Sequence, residues 1–215
     1  MPVAERVLLR DVAWSTYEAL LTDVGAHGGV RLTYDRGDLE IRSPSHEHEY
    51  AKTLIGRMVE TLTETLGIPM RSGGSTTFRS ELLTRGLEPD ECYWIANEAA
   101  LRGKRELDLA VDPPPDLAIE VEVSRSALDR MAIYAALRVS EVWRFLGGEL
   151  SAHVLGPDGA YRRASRSAAF PVLQPAALGR WVTSAFDTNE TDWIRRFRAW
   201  VVTEFAGPAP EPPEG

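Results

Sequence analysis

The run Asp116-Leu117-Ala118-Ile119-Glu120-Val121-Glu122 gathers the acids of this chain best placed for chemistry. Read as a strand, it alternates: Leu117, Ile119, Val121 and Val123 take one face, while Asp116, Ala118, Glu120 and Glu122 take the other. Glu120 and Glu122 then stand about 6.5–7 Å apart at the Cα level, close enough to repel unless a cation or basic group lies between them. Hard carboxylate oxygens of this kind suit Mg²⁺ or Mn²⁺. Asp116 is separated from Glu120 by roughly 13 Å of extended chain, which argues against it as a third ligand. A better third carboxylate is Asp90, in Glu88-Pro89-Asp90, which opens the preceding strand; neighbouring strands lie only about 5 Å apart. Glu91 is the adjacent alternative while the register is open. The plain reading of the whole strand is a half-exposed sheet whose acids sit in water.

Basic partners for these acids are few, since Lys52 and Lys104 are the only lysines and every other basic side chain is an arginine. At 100° per residue from His46, a helix places His48, Lys52, Ile55, Val59, Leu62 and Leu66 on one face. Lys52 then either reaches past the apolar stripe to solvent or pairs with the acidic strand. Glu47 and Glu49 need only the positive end of the helix dipole to explain them. His46 and His48, two positions apart on a helix, diverge too far to make a zinc pair.

These side chains must be positioned by one substantial core. The chain has 215 residues, 44% of them hydrophobic, which makes a single domain over residues 1–206 the expectation, with a disordered Pro/Glu-rich tail at 207–215. The lone Cys92 excludes an intramolecular disulfide, and no apolar run approaches the roughly 20 residues that cross a bilayer, so a soluble cytoplasmic protein is expected. A net charge of -8 excludes tight, promiscuous binding to nucleic acid.

The apolar spacing predicts a helix over 11–24, then a hairpin whose strands 31–34 and 39–42 flank Asp35-Arg36-Gly37-Asp38. Ser43-Pro44-Ser45 starts the best helix, which runs to Gly67. Strands follow at 91–95 and 117–123, a helix at 126–138, and strands at 141–145, 150–155 and 161–164. Trp193, Ile194, Phe197, Trp200, Val201 and Phe205 mark a C-terminal helix with an aromatic stripe suited to core or dimer contact.

In order along the chain, Gly37-Asp38-Leu39-Glu40-Ile41-Arg42-Ser43-Pro44-Ser45, His48, Glu88-Pro89-Asp90, Pro115 to Val121, and Ile133-Tyr134 through Val139-Ser140-Glu141-Val142-Trp143 together resemble the Uma-two family of restriction-endonuclease-like proteins. The resemblance spans roughly residues 10 to 185. It implies an α/β fold with a restriction-endonuclease-like PD-(D/E)xK core, a mixed central sheet flanked by helices, here with an additional C-terminal helix. It also implies metal-dependent hydrolysis of DNA and a homodimer, for which the aromatic stripe of the C-terminal helix offers Trp193, Trp200 and Phe205 as an interface. The family's aspartate falls on Asp90 and its glutamate on Glu120. The lysine position of the general motif falls on Glu122, so Asp90, Glu120 and Glu122 are the expected Mg²⁺ or Mn²⁺ ligands. Lys52 and Arg130 are the candidates to supply the missing positive charge, with His48 orienting the site. Arg125, just past the strand, is a further candidate for a phosphate contact or simple surface solvation. A non-catalytic relative that keeps the acidic pocket for binding is the alternative.

Overall fold

The computed structural model describes residues 6–25, 29–108, 111–123 and 126–206. Arg125 and the tail at 207–215 lie outside them. The chain forms two sheets and a set of helices packed on both faces of the larger one. The smaller sheet comprises β1 (Arg6–Leu9), β2 (Arg31–Asp35), β3 (Asp38–Arg42), β5 (Phe78–Ser80) and β6 (Arg85–Leu87), in the order β1-β3-β2-β6-β5. The larger comprises β4 (Arg71–Ser72), β7 (Glu91–Trp94), β8 (Leu117–Glu122), β9 (Glu141–Leu146), β10 (Glu149–Leu155) and β11 (Tyr161–Ala164). Its order is β11-β10-β9-β8-β7-β4, and it is mixed: β8 and β9 run parallel, the other neighbours antiparallel. This is the mixed α/β architecture expected.

The hairpin β2–β3 closes through Arg36-Gly37, both with positive φ (51° and 101°), the conformation that a two-residue connection between twisted strands demands. It is preceded by α1 (Trp14–Gly25), whose Tyr17 stacks on Tyr34 with ring centroids 4.9 Å apart. Helix α2 (His46–Leu66) begins where Ser45 accepts a hydrogen bond from the His48 amide, and ends at Gly67 in the left-handed conformation. Its buried Leu54, Ile55, Met58, Val59 and Leu62 pack against Ile119 and Val121, the apolar face of β8.

The same core takes in α5 (Pro175–Ser184) and α6 (Glu190–Val201) through Leu178, Val182, Trp193, Phe197 and Val201. Trp193 is fully buried there, so it is core rather than interface; Trp200 and Phe205 are only partly covered. A short α3 (Glu98–Leu101) follows β7. Helix α4 (Arg130–Ala136) is shorter than the predicted 126–138. Asp129 caps it by accepting from the Ala132 amide, whereas Ser126 and Ala127 before it hydrogen-bond to Glu40. Arg138, with φ of 61°, lies beyond its other end. Helix α4 covers the second face of the large sheet, where Ala118, Ile133, Tyr134, Val139 and Val142 form a smaller core. No described helix is long and apolar enough to cross a membrane.

Candidate active site

Antiparallel pairing of Glu91 with Ile119 and Cys92 with Ala118 sets the register at the entry to β7. One step further back, the Asp90 amide donates to the Ile119 carbonyl at 3.1 Å, which brings Asp90 alongside Glu120. Both carboxylates are buried, at 0% and 2% relative exposure, and two like charges so enclosed require partners.

Those partners come from four elements. At Asp90, Oδ1 accepts from Arg42 Nη2 at 3.2 Å, and Oδ2 accepts from the Val121 amide at 2.7 Å with His48 Nε2 at 3.0 Å. Arg42 is the last residue of β3 and His48 lies in the first turn of α2, so the hairpin and the capped helix both converge on Asp90. At Glu120, Arg130 from the first turn of α4 binds in bidentate fashion, Nε to Oε2 at 2.9 Å and Nη2 to Oε1 at 2.5 Å. Tyr134, one helical turn on, donates to the same Oε1. Arg130 also donates through Nη1 to Thr33 Oγ1 and through Nη2 to the Glu88 carbonyl at 2.7 Å, tying the small sheet to the large one.

The electrostatics of the pair are asymmetric. Burial alone would raise Asp90, but the hydrogen bond and charge of His48, with Arg42 and Arg130, hold its carboxyl below the usual range. Burial raises Glu120 above its usual range, and the neighbouring Asp90 adds to this although Arg130 opposes it. Tyr134 is held protonated by burial and by the Glu120 charge.

Glu122, two residues along the same face of β8, does not join this pair. Arg144 of β9 holds it in bidentate fashion, with Nε at 2.7 Å and Nη2 at 2.9 Å. Glu120, Glu122, Arg130 and Arg144 line one cavity of about 170 Å³, together with Ser126 and Asp129. Lys52 is elsewhere: its Nζ lies 3.2 Å from Glu49 and 3.8 Å from Glu91. Glu91 pairs with Ile119, so it projects to the α2 side of the sheet, the side opposite to Glu120. Asp116 caps a turn, accepting from the Ile95 and Asn97 amides and the Asn97 side chain.

Three members of the cluster escaped the sequence reading: Arg42 on Asp90, Tyr134 on Glu120 and Arg144 on Glu122. The signal that could have found Arg144 is alternation along Glu141–Leu146, where it is the one charged side chain amid apolar neighbours in the strand's interior. The parallel register that brings it to Glu122 is a tertiary fact.

Among the described residues, no three His, Cys, Asp or Glu side chains converge as a metal-holding group. Two carboxylates suffice in type, because Mg²⁺ is commonly held by one or two with water and substrate phosphates completing the shell. Asp90 and Glu120 fit that requirement in donor chemistry, as two carboxylates on neighbouring strands.

The profile of the Uma2 family, described as "Putative restriction endonuclease", matches residues 14–185. Among solved structures, the chain is similar to a protein from Anabaena variabilis ATCC 29413 described as "a putative nuclease belonging to DUF820". The identity is 14% over 79% of this chain and 90% of that one, with a TM-score of 0.45. No curated protein matches. Since the family match runs from α1 to the end of α5 and takes in Asp90, Glu120 and Arg130 with every strand that positions them, the chain belongs to the Uma2 family.

Proposed function

We propose that this chain is a metal-dependent endonuclease that hydrolyses DNA phosphodiester bonds at the Asp90–Glu120 pair. The observation that carries the proposal is the juxtaposition of those two buried carboxylates on neighbouring strands, beside a cavity, in a member of a family described as restriction endonucleases. Asp90 and Glu120 would hold Mg²⁺ or Mn²⁺, which supplies Lewis-acid stabilisation of charge developing on the phosphoryl oxygens. The chain's own residues do the positioning. Arg130 and Tyr134 fix the orientation of Glu120, and Arg42 with His48 fixes Asp90. Hydrophobic packing of Ile119 and Val121 under α2 keeps β8 rigid beneath them. The homodimer implied by the family resemblance belongs to this proposal, with Trp200 and Phe205 as the residues that keep exposed surface.

The test is incubation of purified protein with supercoiled plasmid and with short duplex and single-stranded DNA, in Mg²⁺, Mn²⁺ or EDTA. Cleavage in metal that is lost in EDTA, in Asp90→Asn and in Glu120→Gln supports the assignment. Cleavage that persists in both variants sinks it.

One observation favours a second reading. Every oxygen of the pair already accepts a hydrogen bond, and Arg42 and Arg130 offset both charges. A nuclease-fold protein that retains the pocket for binding alone would look the same. Absence of both cleavage and Mn²⁺ binding by calorimetry would put that reading ahead.

A further inference from the structure

The general motif that the family resembles places a lysine two residues after the glutamate on the same strand; here that position is Glu122. Neither Lys52 nor Arg130 is free to supply a cation there. Lys52 lies on the other side of the sheet, bound to Glu49 and close to Glu91. Arg130 is 8% exposed, and all three of its nitrogens are engaged, by Glu120, Thr33 and the Glu88 carbonyl. Turning it toward a substrate would strip a buried carboxylate of its counter-charge, a costly exchange in a low-dielectric interior.

Arg144 is placed differently. In the parallel pairing of β8 with β9 it stands in register with Glu120, and it shares that face of the sheet, so its guanidinium reaches the space beside Glu122. Its side chain is one-third exposed, at 33%, and lines the same cavity as Glu120. Its Nε and Nη2 bind Glu122, while Nη1 makes no hydrogen bond to the described residues. A planar guanidinium with donors in a fixed fork matches a phosphate group as well as a carboxylate. Only the arginine side of the pair is open, Glu122 being 11% exposed, so the donor left for a phosphate is Nη1, with Nε and Nη2 kept on Glu122. The cavity, at about 170 Å³, falls below the range of about 300–1,000 Å³ that encloses a drug-sized ligand, so it takes a group and not a whole nucleotide.

We propose that this cavity is a phosphate subsite, in which Arg144 takes the backbone phosphodiester of the nucleic acid through Nη1 while Glu122 keeps Nε and Nη2 and orients the guanidinium. The cation missing from β8 is thus supplied by the adjacent strand. The other acids of the cavity act on Arg144 through charge alone, their hydrogen bonds going elsewhere: Glu120 is bound by Arg130 and Tyr134, and Asp129 caps α4. The subsite deepens the hydrolytic reading above and rests on it for the identity of the substrate.

The experiment measures binding of a fluorescein-labelled DNA duplex by anisotropy in EDTA over a series of salt concentrations, and cleavage of the same duplex in Mn²⁺. Arg144→Gln should weaken binding by at least about fivefold and reduce the magnitude of the log–log salt slope by about one. Arg144→Lys should keep the slope and recover part of the affinity. Glu122→Gln, which frees the guanidinium, should tighten binding, an effect that loss of folding cannot mimic. Affinity and slope unchanged in Arg144→Gln, or no binding by the wild type at low salt, overturns the subsite. Binding that depends on Arg144 without any cleavage leaves the subsite standing and removes the hydrolytic reading. Cleavage with Arg144→Gln indistinguishable from wild type does the reverse.

Discussion

Replacing Arg130 with alanine tests whether the buried ion pair holds the two sheets together. The substitution removes both bonds to Glu120, the bond to Thr33 on β2 and the bond to the Glu88 carbonyl, and leaves a carboxylate at 2% exposure facing Asp90. Removing one partner of a buried pair typically costs about 3–5 kcal/mol, most of it the cost of the charge left behind. In a domain of this size that lowers the melting midpoint by about 6–20 °C. Urea denaturation and differential scanning calorimetry at pH 7 read it directly. Two controls isolate the cause. Arg162→Ala removes an exposed pair with Asp158 and should leave the midpoint where it is. Adding Glu120→Gln to Arg130→Ala removes the stranded charge and should restore much of the loss. A loss under about 1 kcal/mol for Arg130→Ala, or no recovery in the double variant, would mean that the pair does not hold the sheets together.

Two further outcomes follow from groups outside the cluster. Burial raises the carboxyl of Glu141 despite its bonds to Ala169, Trp143 and Ser167, so the folded state holds that proton more tightly than the unfolded chain does. Its stabilising contribution is complete below the unfolded carboxyl range and is lost as pH rises through the folded value. Glu141→Gln should therefore gain melting temperature relative to wild type between pH 4 and pH 7, and a difference independent of pH would contradict this. Burial pushes the Cys92 thiol up, and the side chain is fully enclosed, so a colourimetric thiol reagent should react only at the rate of unfolding. Fast, stoichiometric labelling of native protein would show the site to be open.

What the sequence made legible was whatever depends on local period and cap. The stripe and Ser45 cap of α2, the Arg36-Gly37 hairpin and the alternation of β8 all rest on neighbours in the chain. Helix α5 was not read from the sequence, and its Gly179 interrupts the side-chain pattern of the helix. Its absent side chain is instead a packing requirement: a Cβ there would lie 2.9 Å from the Gly148 carbonyl oxygen and the Leu150 amide. The two- and three-residue strands β4, β5 and β6 are too short to carry a period, and β1 is an edge strand recognisable only once β3 is in place. At the site, Asp90 and Glu120 were legible as acids on adjacent strands. Arg130 was already a candidate for the site's positive charge, whereas Arg42 on Asp90 and Arg144 on Glu122 were not legible, because they arrive by the packing of a hairpin and a parallel strand. Projection of α2 found the correct buried face but grouped Lys52 with His48. The long helix lies on the Ile119 side, and only its first turn reaches Asp90.

If Asp90 and Glu120 form one metal-holding hydrolytic site, a crystal of the protein soaked in Mn²⁺ should show an anomalous peak in contact with both carboxylates, absent from crystals of Glu120→Gln. Crystals that show no peak there, with Arg130 still bidentate on Glu120, would contradict it.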